Sequence, residues 1–142
     1  MNVLRRIIDF LRELFTFAPP PPYWHECRKL VYSRSYIPDV YDCSNMSATA
    51  VVWYTRKKPD LEVQYISAVS PKRSRGHAWF RIRDEDGNEW HVDPAKRRWN
   101  NKGWFRQWPE YEEIPFRLML AHPEYFSPFY ERQPDYSIAK IA

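Results

Sequence analysis

Apolar residues recur near the start of the chain at Val3, Leu4, Ile7, Ile8, Leu11, Leu14 and Phe15. Arg5, Arg6, Asp9, Arg12 and Glu13 fall between them. This is the period of an amphipathic helix with one apolar stripe. It carries too much charge for the apolar core of a signal peptide and is too short to span a bilayer. Residues 1–17 therefore read as a helical arm that packs on its own domain, self-associates or lies on a membrane surface. Residues 18–22, alanine and four prolines, cannot continue a helix and predict an extended spacer. One domain, 23–142, follows.

Within that domain the pattern changes period. After Asp42 a mostly apolar run, Ala48 to Tyr54, leads to Arg56-Lys57-Lys58-Pro59. Asp42 or Ser44 can cap the start of a helix here, basic residues suit its end, and Pro59 stops it. Leu61 to Val69 reads as a strand. His77 to Arg83 and Glu89 to Asp93 alternate like two further strands, with Ala78, Phe80, Ile82, Trp90 and Val92 on one face. Between them, Gly87 fits the left-handed position of a three-residue loop over 85–87. That loop fixes the register: paired positions sum to 172, Trp79 faces Asp93, and His77 is the diagonal neighbour of Asp93 on the same face. Beyond Pro94 the pattern is irregular, apart from a short helix over Phe116 to Ala121.

Composition narrows the possibilities. A chain of 142 residues allows one domain with one core. Three glycines form neither a P-loop nor a dinucleotide fingerprint, and two cysteines, Cys27 and Cys43, make no disulfide scaffold. Cysteine and histidine are not spaced for a zinc finger. The net charge of +4 conceals a basic segment, 72–106, with ten basic and five acidic residues. Its interleaved tryptophans suit base stacking, but no nucleic-acid motif accompanies them, so a solvated rim is the expectation.

Three residues then carry chemistry. Cys43 opens a helix, whose N-terminus favours thiolate over thiol. His77 can exchange protons with it, and Asp93 can hold the imidazole in one tautomer. A metal site from Cys43, His77, His91 and Asp93 uses the same ligand types, but a helix end and two strand positions match a triad better. Cys27 reads as a buried bystander. Trp79, on the face of His77, is expected to wall a substrate cleft. Tyr36, Tyr41 or Trp24 is a candidate to complete an oxyanion hole, with Tyr41 taken as a substrate-binding residue.

Asp42-Cys43 opening a helix, Gly76-His77-Ala78-Trp79-Phe80 and Glu89-Trp90-His91-Val92-Asp93-Pro94 together resemble the core of the transglutaminase-like superfamily. The resemblance covers residues 42–94. It departs from the family in the polar Ser44-Asn45-Met46-Ser47 after the cysteine. It implies an α+β, papain-like fold, with a Cys-bearing helix on an antiparallel sheet. It also implies Cys43 as nucleophile, His77 as base and acid, and Asp93 as orienting group. The expected activity is that of a cysteine peptidase or amidase rather than a transglutaminase, acting on a peptide or protein amide through a thioester, with no cofactor. Two alternatives stand beside it: a non-catalytic binding module of the same fold, and nucleic-acid binding through 72–106. With no leader or spanning segment in view, a cytoplasmic location is expected, and peripheral membrane association through residues 1–17 stays open.

Overall fold

A computed structural model describes residues 3–8, 19–38, 40–69, 76–100, 103–108 and 111–121. Most of the arm and the basic loop 70–75 lie outside the described residues. Residues 3–8 are helical and exposed throughout.

Helix α1 (Trp24–Val31) and the longer α2 (Cys43–Lys57) precede strands β1 (Glu62–Val69), β2 (Gly76–Arg83), β3 (Glu89–Asp93), β4 (Arg98–Asn100) and β5 (Glu112–Ile114). A single 3-10 turn, Trp104–Gln107, lies between β4 and β5, and α3 (Phe116–Ala121) follows β5. The five strands form one antiparallel sheet in the order β4-β3-β2-β1-β5. The fold is α+β, as expected.

The β2–β3 register runs from Phe80↔Val92 to Arg83↔Glu89, and every pair sums to 172. Gly87 has φ of 81° and closes the turn with its N–H on the Asp84 carbonyl. A left-handed residue at this position is cheap only for glycine, which is why the register was readable.

Alternation then sorts the sheet into two faces. Val63, Tyr65, Ala78, Phe80, Ile82 and Val92 meet Ala48, Val51 and Tyr54 of α2 in the main core, joined by Trp24, Cys27 and Val31 of α1. The opposite face carries Ile66, Ala68 and Trp79, covered by Trp108 with Trp104, Phe105 and Tyr111 against it. The prolines are tied to the domain: the Pro19 carbonyl accepts from Trp90 Nε1 and that of Pro22 from the Tyr54 hydroxyl. Among the described residues no helix is long and apolar enough to cross a membrane.

Candidate functional site

Cys43 is the first residue of α2. Asp42 caps it, accepting from the Ser44 N–H at 3.1 Å and the Ser44 hydroxyl at 2.8 Å, while Asn45 Oδ1 reaches back to the Asp42 N–H at 3.0 Å. The Asn45 N–H also goes to the Asp42 side chain, completing a reciprocal box. The Met46 N–H goes to the Asp42 carbonyl. The cap thus takes the N–H groups of Ser44 and Asn45, and Cys43 sits in the first turn of the helix, where partial positive charge gathers.

His77 stands near the start of β2. Strand β3 ends at Asp93, two residues short of a position facing His77. The ring crosses diagonally to Asp93, with Nε2 2.7 Å from Oδ2. Cys43 lies close enough to the ring to help hold its proton. Nε2 is occupied by Asp93, so Nδ1 is the nitrogen left for the thiol. Burial opposes the imidazolium, but the hydrogen bonds and charges of Asp93 and Cys43 outweigh it and raise the His77 pKa to about 9. The ring is 12% exposed, and Trp108 stacks on it with centroids 4.9 Å apart.

Asp93 is fully buried. Its Oδ2 accepts from His77 and from Arg98, and its Oδ1 accepts the Lys96 N–H at 3.3 Å. A buried carboxylate surrounded by donors stays a rigid acceptor. Cys43 is half-buried, and both cysteines are free thiols. Cys27 is enclosed in the main core, where burial pushes its thiol up. The structure therefore brings Cys43, His77 and Asp93 together, with His77 hydrogen-bonded to Asp93 and Cys43 within electrostatic reach of the imidazole, and separates Cys27 from them.

The other sequence candidates lie elsewhere. Tyr41 has no exposed surface, and its hydroxyl donates to the Val31 carbonyl at 2.6 Å. Trp24 is buried in the main core, and Tyr36 is exposed. Trp79 lies on the His77 face as the register requires, but it too has no exposed surface. Its indole donates to His91 Nδ1 at 2.9 Å, so it packs behind the imidazole rather than walling a cleft. Neither Trp79 nor Tyr41 presents a face to a substrate, because burial of a large ring outweighs its position in the register.

His91 completes a separate chain. Indole N–H can only donate, so Nδ1 accepts and Nε2 carries the proton that goes to Glu89 Oε1 at 3.0 Å. Both nitrogens are committed, and burial lowers the pKa of His91. Among the described residues no group of three or more His, Cys, Asp or Glu side chains is placed to hold a metal ion.

The basic segment is partly internal. Arg81 is buried between Glu62 and Glu113, Arg83 pairs with Glu62 and Glu89, and Arg98 pairs with Asp93. Charge counting along the chain could not see these partners, which come from β1, β3 and β5. The sequence reading also missed Trp108, Arg98 and Tyr65. Tyr65 is buried within electrostatic reach of Cys43 and Asp42, and burial first, then those two charges, hold its hydroxyl protonated. Alternation on β1 was the available signal for Tyr65; nothing local marked the other two.

Comparison of the chain with models of known families, with curated proteins and with solved structures finds no match.

Proposed function

We propose that this protein is a cysteine-nucleophile acyl-transfer enzyme acting on amide or peptide bonds, with a papain-like arrangement of the transglutaminase-like kind. The observation that carries the reading is His77, held by buried Asp93 at 2.7 Å on one nitrogen and within electrostatic reach of Cys43 at the start of a capped helix.

The chemistry follows from that chain. The Cys43 thiolate attacks the amide carbonyl carbon, and the carbonyl electron pair moves to oxygen. The backbone N–H of Cys43, in the first turn of the helix, donates to that oxyanion. The intermediate collapses, the C–N bond breaks, and the imidazolium gives its proton to the leaving amine. A thioester on Cys43 and a neutral His77 remain. His77 then takes a proton from water as water attacks the thioester carbon. The acid is released and the thiolate–imidazolium pair returns. An amine in place of water gives transamidation. Asp93 accepts from Nε2 throughout and keeps Nδ1 turned to the sulfur. Hydrolysis is the favoured outcome, and the substrate is a peptide or protein amide.

The test is incubation of the full chain with a mixed peptide digest in 18O-water, with and without a fluorescent primary amine. One 18O should enter each new carboxyl group, with Cys43→Ala inert. Incorporation of the amine would instead make transfer the main reaction. No turnover above Cys43→Ala, together with no His77-dependent alkylation of Cys43, would overturn the proposal.

A further inference from the structure

Strand β4 pairs with β3 so that Arg98 stands directly opposite Asp93, on the sheet face that carries His77. Arg98 Nε and Nη2 donate to Asp93 Oδ2 at 3.1 and 3.0 Å. This is the same oxygen that meets His77 Nε2 at 2.7 Å. The guanidinium is fixed from its other side as well, lying over the Trp104 ring at 4.1 Å. One carboxylate oxygen, fully buried, therefore serves two cationic groups at once.

We propose that Arg98 is a positioning residue for His77: it takes a share of the Asp93 charge and so limits how firmly the imidazole holds its proton. The physical reason is simple. A guanidinium keeps its charge at every working pH. A fixed positive charge beside an imidazolium disfavours it, and competition for one oxygen weakens each hydrogen bond to it.

Among the described residues, these charged and titratable groups surround the pair. Asp93 from β3 and Cys43 from α2 face His77 directly. Arg98 from β4 reaches it through Asp93 Oδ2. Tyr32, after α1, lies near Asp93; its hydroxyl donates to the Pro94 carbonyl, and the Arg97 guanidinium covers its ring. The rings of Trp79 and Trp108 against His77 are uncharged. His91 is turned to Trp79 and Glu89.

The consequence for catalysis rests on the acyl-transfer reading. His77 must give up its proton to the leaving amine and then accept one from water. An Asp93 devoted to His77 alone would hold the imidazolium through both steps, so Arg98 keeps the neutral form within reach for deacylation. The electrostatic coupling itself does not depend on that reading.

The experiment is a histidine-resolved NMR titration of the full chain, compared with Arg98→Gln and Arg98→Lys. Arg98→Gln should raise the His77 midpoint by about half to one pH unit, roughly three- to tenfold less neutral imidazole at a given pH. Arg98→Lys, which keeps the charge but loses the two-nitrogen fork, should titrate close to the parent protein. A merely structural role would move both variants alike. In the unsubstituted chain the Arg98 Nε–H resonance should shift with the same midpoint as His77, which keeps the test open if Arg98→Gln does not fold. An unmoved or lowered midpoint in Arg98→Gln, or an Arg98 resonance indifferent to His77, overturns the proposal. If Cys43 proves inert while the coupling holds, the enzyme reading falls and this inference stands. If Cys43 reacts through His77 but the coupling is missing, this inference alone fails.

Discussion

Replacing Asp93 by asparagine should change the pH dependence of stability in a calculable way. His77 holds its proton to about pH 9 in the folded chain, against an ordinary value of 6.5. A raised folded value stabilises fully below the unfolded pKa, and that stabilisation is lost as pH rises through the folded one. Between pH 6.5 and pH 8.5 the loss from this one group is about 2 kcal/mol. The ring is only 12% exposed, so solvent screening does not remove it. The Asp93→Asn variant keeps the side-chain shape but carries no charge to hold the imidazolium, and most of the slope should vanish. The assay is urea unfolding at half-unit pH intervals for both proteins. The informative quantity is the difference between the two curves, because titration of the other histidines and of Cys27 cancels in it. The variant should also be less stable at pH 6.5, because Arg98 and His77 lose a shared buried acceptor. A difference that stays constant across the range would refute the assigned role of Asp93.

Other perturbations probe different parts of the account. Ser47→Ala should leave stability unchanged or raise it by up to about 1 kcal/mol in thermal unfolding, because the buried Ser47 hydroxyl has no hydrogen-bond partner among the described residues. Gly87→Ala should cost about 1 kcal/mol from backbone strain alone, since a Cβ there meets nothing within 4 Å among the described residues while φ is 81°; a neutral result by urea unfolding would contradict the turn. Phe80→Ala, at the centre of the main core, should cost about 3–5 kcal/mol by the same measurement. Asp42→Ala should cost about 0.5–2 kcal/mol through the lost cap and should also slow alkylation of Cys43, as the first turn frays.

The parts of the fold legible in the sequence are those whose causes are local. Asp42 before an apolar run, and Pro59 after a basic one, mark α2 because capping and chain stiffness act within a few residues. Gly87 fixes the β2–β3 register for the same reason, and the diagonal contact of His77 with Asp93 follows from that register. Helix α1 went unread although Trp24, Cys27 and Val31 share one buried face. Eight residues after a proline run give too little periodicity to stand out. Strands β4 and β5 have three residues each and exist through partners elsewhere: β5 borders β1 across nearly fifty residues. Trp79 and Tyr41 show the limit in the candidate site. Position can put a ring on the correct face or near the correct helix, but its burial depends on what covers it. For Trp79 that cover comes from Trp104, Trp108 and Tyr111, none of which carries a local signal. The partners of Arg98 and of His77 beyond Asp93 are likewise tertiary.

The central claim is that Cys43 is a nucleophile made reactive by His77. Its most direct test is the rate of Cys43 alkylation by iodoacetamide at pH 7, read by peptide mass spectrometry in the full chain and in His77→Ala. Cys27, buried in the core, serves as the internal control. Cys43 should be labelled stoichiometrically and at least about tenfold faster in the parent than in His77→Ala, with Cys27 unlabelled in both. Equal rates at Cys43 in the two proteins, or a Cys43 that stays unlabelled in the folded parent, would contradict the account.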